Sequence, residues 1–246
     1  MFRIRLHGRG GQGIKTAGRM LGTAFFRAGF EVQDAPRYGA ERRGAPIFAY
    51  VRADRRPIQE RGVIRRPDLV IVADDTLMTV SGAEVLAGVA AHTVLLLASQ
   101  VPPDLWRERL RTPGPVLTLP TAPAADPLPH RFLGAACAGA AAGLVGLIPR
   151  EALARAVEEE LAAFSAAVVG QNREQALQAF DGMSRHSGCV TEGPEAGAEA
   201  YAQPNWLDLP PESVEFSAPA IFTPATSRLV PTGLWRTVRP VLDRAR

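Results

Sequence analysis

The stretch Leu6-His7-Gly8-Arg9-Gly10-Gly11-Gln12-Gly13 decides the fold of this chain. From Phe2 to His7 apolar side chains alternate with polar ones, which is the two-residue period of a β-strand. From Gly13 to Gly29 the apolar residues recur every three or four positions. This period predicts an amphipathic helix, with Gly29 as its stop signal. The quoted stretch is therefore a glycine-rich turn between a strand and a helix.

The turn satisfies the spacing G-x-G-x-x-G through Gly8, Gly10 and Gly13. Glycine there lets a ligand or a neighbouring chain approach the N terminus of the helix, whose N–H groups suit phosphate or carboxylate. A dinucleotide fold would place an acid at the end of the second strand, and Asp34 has that position. A P-loop is excluded because no lysine follows the last glycine directly. A tight turn used only for packing is the remaining alternative.

A second loop follows, from Ala35 to Pro46, where a dinucleotide fold would instead enter a helix. The loop is rich in proline, glycine and arginine and leads into a third strand at 47–53. Neighbouring guanidinium groups repel one another unless a partner neutralises them. Two interpretations stay open, namely a solvated arginine cluster paired with Glu41, or a loop that binds an anion or a partner chain.

Together the two loops resemble the gamma subunit of the 2-oxoacid:ferredoxin oxidoreductases, a family with pyruvate, 2-ketoisovalerate, 2-oxoglutarate and indolepyruvate enzymes. Its members carry a G-x-G-G-Q-G turn and then a loop close to G-P-E-x-R-G-G, in which Ala40 here replaces a common proline. The resemblance covers roughly residues 1–183. It assigns cofactor binding to Gly8, Gly10, Gly11, Gln12, Gly13, Tyr38, Gly39, Glu41, Arg42, Arg43 and Gly44.

The resemblance implies an oxidoreductase subunit in a hetero-oligomer that oxidatively decarboxylates a 2-oxoacid, commonly with acyl transfer to coenzyme A. Electrons would pass to ferredoxin or another acceptor. Thiamine diphosphate, Mg²⁺ and 4Fe-4S clusters are expected on the partners, which are alpha and beta subunits and a ferredoxin-like subunit, with room for coenzyme A at an interface.

The chain itself is expected to hold no cofactor, catalytic residue or metal ligand, because it has neither G-D-G nor C-x-x-C-x-x-C. It should therefore be inactive alone. The alternative is a stand-alone nucleotide-binding Rossmann-like module. The sequence does not select among pyruvate, branched-chain and aryl 2-oxoacids.

Length and composition agree with an α/β domain plus an extension. The 246 residues suffice for one full core. Two cysteines, Cys137 and Cys189, cannot form a disulfide framework. We expect a cytoplasmic protein without nucleic-acid or membrane partners. The net charge is only +3, no signal-type segment opens the chain, and the longest apolar run, 134–148, is too short to cross a bilayer.

Alternating elements predict an α/β fold, a mainly parallel sheet with helices on both faces. Strands are predicted at about 2–7, 30–34, 46–53, 69–73, 93–98 and 115–119, and helices at about 13–29, 76–90, 131–147, 150–165 and 172–183. Asn172 is predicted to cap the last helix, with Gln175 reaching back.

The composition changes after residue 185, which divides the chain into a gamma-type domain, 1–185, and an extended proline-rich arm, 186–246. The arm contains eight of the 21 prolines. Its large apolar residues argue against disorder: Tyr201, Trp206, Phe216, Ile221, Phe222 and Trp235. The segment 232–243 resembles the start of the family's delta subunit, but no cluster cysteines follow. An arm docked on a partner subunit is the expected structure.

Overall fold

The structure is a computed structural model that describes residues 1–37, 45–120 and 132–193. In this part of the chain six strands form one sheet, in the order β2-β3-β1-β4-β5-β6. Their bounds are β1 Phe2–Arg9, β2 Glu31–Arg37, β3 Pro46–Asp54, β4 Leu69–Val72, β5 Val94–Ala98 and β6 Val116–Leu119. Strands β1, β4, β5 and β6 are parallel, whereas β3 is antiparallel to both of its neighbours. The predicted mainly parallel sheet is confirmed.

Helices cover both faces of the sheet, as predicted. The α-helices of the described residues are α1 Ile14–Arg27, α2 Pro103–Leu110, α3 Leu133–Val145, α4 Arg150–Glu160 and α5 Ala166–Met183. On one face α1 and α3 join the main core, and α4 and α5 pack against them in turn. On the other face α2 contributes Trp106 to a smaller apolar cluster with β4 and β5. Both layers bury apolar side chains, which stabilises the fold.

Strand β1 is buried on both sides. Its apolar residues Phe2, Ile4 and Leu6 belong to the main core. The alternate residues Arg3, Arg5 and His7 are also buried, on the opposite face. Buried cations need partners. Accordingly, the Arg3 Nε atom donates to Glu60 Oε2 at 2.9 Å, and the Arg5 Nη2 atom donates to the Val85 carbonyl at 2.8 Å.

The predicted helix at 76–90 is wrong, and α2 was missed. The segment forms the 3₁₀ helices Asp75–Thr79 and Ser81–Ala83, followed by turns. A left-handed residue, Glu84 (φ 43°), interrupts it, and Gly88 has a φ of 69°. A Cβ on Gly88 would lie 1.7 Å from the Arg65 carbonyl oxygen, so this position is fixed by close packing. Helix α2 begins with proline, which suits the first helical turn.

The predicted cap of the last helix is also wrong. Helix α5 begins at Ala166, and the Ser165 hydroxyl accepts a hydrogen bond from the Val168 N–H at 3.4 Å. Asn172 lies inside the helix, where its amide donates to the Val168 carbonyl at 2.8 Å. The first turns of α5 are mostly exposed. The apolar period that predicts a helix is therefore weak there.

The chain continues along the domain from residue 187 to residue 193. The N–H groups of Gly188 and Val190 donate to the Leu144 carbonyl at 2.9 and 3.4 Å, and Val190 is buried. Gly193 packs so closely that a Cβ there would lie 2.3 Å from Asp68 Oδ1. The rest of the predicted arm lies outside the described residues, and the division of the chain at residue 185 stays a prediction.

Candidate functional site at the carboxyl end of the sheet

The glycine turn lies where the sequence predicts it, between β1 and α1. Gly11 and Gly13 have φ values of 98° and 74°, in the left-handed region that glycine adopts without strain. Gly13 is the N-cap residue of α1, and within the described chain no side chain caps that end. The backbone N–H groups of the first turn thus carry a partial positive charge, which suits an anion or a partner's carboxylate.

Gly8 has a packing role in addition to the predicted binding role. A Cβ at this position would lie 2.4 Å from Cγ1 and 2.8 Å from Cδ1 of Ile14, which is fully buried. The absence of a side chain at Gly8 lets the first turn of α1 fold back onto the end of β1. The hypothesis that the glycine turn serves packing therefore holds at Gly8.

A second helix begins against the same turn. A Cβ on Gly134, in the first turn of α3, would lie 2.7 Å from the carbonyl oxygen of Gly13. Among the residues that the structure describes, no side chain caps the N terminus of α3 either. Two helix N termini therefore lie next to each other at the carboxyl end of β1.

Side chains on both sides of the turn are tied to the end of β4. The Gln12 amide donates to Asp74 Oδ2 at 3.1 Å, and the Arg9 Nε atom donates to the same oxygen at 2.9 Å. The Arg9 Nη2 atom also donates to the Thr76 hydroxyl at 2.7 Å, and that hydroxyl donates to Asp74 Oδ1. Sequence reasoning named Gln12 but missed Arg9, Asp74 and Thr76 as parts of the site.

Asp74 is ionised in this arrangement. Burial alone would raise its pKa, but the hydrogen bonds from Thr76 and Gln12 and the charge of Arg9 lower the pKa below its usual range. The site thus contains one carboxylate whose charge is balanced by a neighbouring guanidinium group. Hydrogen bonds of this charged type are stronger than those between neutral groups.

The second predicted loop ends beside the glycine turn and starts two strands away, at the same end of the sheet. Strand β3 begins at Pro46, which pairs with Arg9 on β1, and Arg37, the last residue of β2, pairs with Phe48. The Gly10 N–H donates to the Ala45 carbonyl at 3.0 Å. The candidate residues Tyr38, Gly39, Glu41, Arg42, Arg43 and Gly44 lie outside the described residues. Both ends of their loop are at the same edge of the sheet as Gly8, Gly10, Gly11, Gln12 and Gly13.

The sheet does not have the arrangement of a dinucleotide fold. In that fold the second strand lies parallel beside the first, so that its terminal acid meets the ribose. Here β3 separates β2 from β1, and Asp34 pairs with Val51 of β3. Asp34 is therefore two strands away from the glycine turn. Asp34 therefore does not lie where a nucleotide-binding module needs its acidic residue.

The shifted pKa values of His7 and Cys137 reflect the burial of both side chains. His7 is buried, and its pKa is lowered to about 3 by burial and by the charge of Arg5, so the ring is neutral. The ring packs edge-on against Phe48, with 5.1 Å between centroids. Burial raises the pKa of the Cys137 thiol to about 12, as expected for a small core residue.

Comparison with known proteins decides the family. The pattern of the family described as "Pyruvate ferredoxin/flavodoxin oxidoreductase" matches residues 3–182. The chain belongs to this family. A gamma subunit common to the pyruvate and ketoisovalerate oxidoreductases of Thermococcus kodakarensis is 36% identical over 183 residues, which are 74% of this chain and 96% of that subunit. Subunit PorC of the pyruvate synthase of Methanothermobacter marburgensis is 34% identical over 188 residues, or 76% of this chain and 100% of that subunit.

A solved structure agrees with the fold. The pyruvate oxidoreductase subunit PORC of Thermotoga maritima superimposes with a TM-score of 0.58 at 28% identity, over 73% of this chain and 95% of that one. The family resemblance drawn from the two loops is therefore confirmed, and so is the α/β fold. Among the described residues, no group of three or more His, Cys, Asp or Glu side chains is arranged to hold a metal ion. No helix of that part is long and apolar enough to cross a membrane.

Proposed function

We propose that this chain is the gamma subunit of a multi-subunit, thiamine-diphosphate-dependent 2-oxoacid oxidoreductase in the cytoplasm. The complex decarboxylates a 2-oxoacid oxidatively, commonly transfers the acyl group to coenzyme A, and passes electrons to ferredoxin or another acceptor. The observation that carries the proposal is the match to gamma and PorC subunits over 95% or more of the length of those relatives.

The cofactors belong to the partner subunits in this proposal. Thiamine diphosphate with Mg²⁺ and 4Fe-4S clusters supply the carbon–carbon bond cleavage and the electron path on the alpha, beta and ferredoxin-like subunits. This chain contributes the edge of the sheet that carries the glycine turn. The turn offers backbone N–H groups, and the Arg42 and Arg43 guanidinium groups bind a phosphate or a partner's carboxylate. Coenzyme A at this interface would present the phosphate.

Assembly and activity test the proposal together. The chain purified alone should show neither oxidoreductase activity nor iron–sulfur absorption. Co-expression with its genomic neighbours and native purification should give one complex that contains thiamine-diphosphate and iron–sulfur subunits. A stable monomer that binds a nucleotide and captures no such subunit would support the stand-alone module instead. Brown colour on the isolated chain would contradict the assignment of the clusters.

The arginine pair of the second loop tests the interface. Replacing both Arg42 and Arg43 by Ala should leave the melting temperature of the isolated chain nearly unchanged and weaken the complex or its affinity for coenzyme A. The reason is that hydrogen bonds to a charged, desolvated partner contribute about 1.5–3 kcal/mol each. Arg65 and Arg66, two consecutive exposed arginines on another loop, give the matched control when both are replaced by Ala. Equal effects of the two double variants would contradict an interface role.

The arm provides a separate test. We propose that its aromatic side chains, including Trp206, Phe222 and Trp235, are buried against a partner subunit, which contributes about 2–3 kcal/mol for each. The truncation is best placed after Gly193, because Val190 is buried in the domain. The shortened chain should fold and should associate poorly with its partners. Assembly at full strength would show that the arm is not an assembly element.

A further inference from the structure

The carboxylate of Asp74 joins parts of the chain that are distant in sequence. It accepts hydrogen bonds from Arg9 Nε at 2.9 Å, from Gln12 Nε2 at 3.1 Å, and from the Thr76 backbone N–H at 3.1 Å. The Thr76 hydroxyl is a further donor. Two of the donor residues, Arg9 and Gln12, lie on either side of the Gly10-Gly11 pair.

The same two residues close the turn on themselves. The Arg9 backbone N–H donates to Gln12 Oε1 at 2.7 Å, and the Gln12 backbone N–H donates to the Arg9 carbonyl at 3.1 Å. The Gln12 amide group therefore has its oxygen on the turn and its nitrogen on Asp74. This amide therefore links the Asp74 carboxylate to the backbone of the turn.

The turn in turn meets the end of the second loop. The Gly10 N–H donates to the carbonyl of Ala45, the first described residue after that loop, at 3.0 Å. A displacement of Gly10 would therefore be transmitted to Ala45, just before β3. Asp74 lies at the start of a chain of hydrogen bonds that includes both loops of the candidate site.

We propose that Asp74 is a positioning residue, which holds the glycine turn in the conformation that binds the partner subunits. This inference rests on the proposed function of the chain. Asp74 lies at the rim of the fold rather than in its apolar core: its side chain is 17% exposed, that of Arg9 is 30% exposed, and Thr76 is exposed. Its effect is on the shape of the turn. The lowered pKa of Asp74 agrees with a permanently charged acceptor.

The first experiment replaces Asp74 by Asn in the full chain and measures its dissociation constant from the co-purified partner subunits, together with the melting temperature. The amide keeps the size of the side chain but cannot accept from Arg9, Gln12 and Thr76 together. We expect about tenfold weaker binding at a temperature where the variant is folded, which corresponds to about 1.4 kcal/mol. The melting temperature should fall as well, because the lowered pKa means that the charged carboxylate stabilises the folded chain. Asp104→Asn is the matched control, because Asp104 is an exposed carboxylate in an ion pair with Arg107.

A double-mutant cycle separates positioning from plain stability. Arg9→Lys keeps the charge but loses the planar fork that bonds Asp74 and Thr76. If Asp74 acts through the turn, Arg9→Lys and Asp74→Asn are coupled in partner affinity, and their combined effect is smaller than the product of the single effects. Coupling in the melting temperature alone, or equal affinities for Asp74→Asn and Asp104→Asn, would overturn the inference.

The outcome also separates this inference from the proposed function. If the unchanged chain binds no thiamine-diphosphate subunit, the proposed function fails and the position of Asp74 has no interface to serve. If the unchanged chain assembles and Asp74→Asn assembles equally well, only the positioning role is wrong. Should Asp74→Asn fail to fold, Arg9→Lys alone must still weaken partner binding for the inference to stand.

Discussion

Strand β4 has an aspartate at each end, and the two carboxylates have opposite properties. Asp68 precedes the strand and is almost fully buried, with 1% of its surface exposed. Burial raises the pKa of Asp68 above its usual range, in spite of the hydrogen bond from the Arg3 N–H at 2.7 Å and the charges of Arg3 and His92. Asp74 follows the strand, and its hydrogen-bond donors lower its pKa. Burial thus disfavours the charged form of the carboxylate at one end, and hydrogen-bond donors favour it at the other.

The difference separates the part that holds the fold together from the part that carries the site. At the amino end, Asp68 lies between the start of β1 and Gly193, and it joins segments that the fold must keep together. At the carboxyl end, Asp74 joins two loops, and binding sites in open parallel sheets lie at this end, beside the strand where the connection reverses direction. Changes at the amino end should therefore act on stability alone, whereas changes at the carboxyl end should act on partner binding as well.

Asp68→Ala should give the largest effect. It leaves the buried Arg3 N–H without its acceptor, a loss of about 2–3 kcal/mol for a hydrogen bond to a charged group. Asp68→Asn keeps an acceptor oxygen without the charge, and the raised pKa shows that burial opposes the charged form. We therefore expect about 1 kcal/mol for Asn. Urea unfolding of the isolated chain at neutral pH gives both values, and equal losses for Ala and Asn would contradict this account of the amino end.

Acid should destabilise the fold at His7, which pairs with Val72 at the carboxyl end of β4. The pKa of His7 is about 3 in the folded chain against about 6.5 when unfolded. As the pH falls below 6.5 the unfolded chain takes up the proton first, so stability is lost until about pH 3. By pH 4.5 this group alone costs about 2–3 kcal/mol. The raised pKa of Asp68 acts in the opposite direction, since the folded chain binds that proton more tightly.

The variant His7→Gln isolates this contribution. Its free energy of unfolding, measured by urea denaturation from pH 7.5 to pH 4.5, should fall less steeply than that of the unchanged chain. Parallel curves for the two proteins would show that His7 is not the group that titrates.

Periodicity predicted most of the fold, because β1, α1, β4 and β5 bury regular apolar faces. It failed at 76–90, where close packing at Gly88 and a left-handed Glu84 replace a helix. Neither feature produces a periodic pattern of apolar residues in the sequence. The orientation of β3 was equally hidden, because strand direction depends on which neighbour the chain returns to.

The site was predicted in part. The glycines of the turn were recognised from their spacing, whereas Asp74 and Thr76 are more than 60 positions away from Arg9. A signal for Asp74 was nevertheless present. An aspartate directly after a buried parallel strand lies at the carboxyl edge, where the glycine turn also had to be. The paired residues themselves could not be deduced, since the strand order β1-β4 is a property of the folded sheet.

Gly8→Ala should affect both stability and binding, and so tests whether the carboxyl end is as separate as proposed. The added methyl group collides with the buried Ile14 side chain, and overpacking of this kind costs about 1–3 kcal/mol. Ile14→Val, which removes one of the colliding carbons, should restore part of the stability in the double variant. Thermal unfolding of the two single variants and the double variant checks this. Strictly additive losses would show that the collision is not the cause.

Thr76→Val should have the smallest effect on the isolated chain. The hydroxyl accepts from Arg9 Nη2 at 2.7 Å and donates to Asp74, but both contacts are exposed to solvent. Their loss should cost less than about 1 kcal/mol, because water replaces exposed hydrogen bonds. The Arg9 Nε and Gln12 contacts to Asp74 remain, so the turn should loosen without opening.

Amide hydrogen exchange at Gly10 should become faster in Thr76→Val, because the Gly10 N–H is bonded to Ala45 outside the regular β-ladder. Exchange along β1 should stay the same. Thr79→Val is the control, because the Thr79 hydroxyl lies one helical turn away and donates to the backbone carbonyl of Thr76. Unchanged exchange at Gly10 in Thr76→Val would mean that Asp74 holds the turn without help from this hydroxyl.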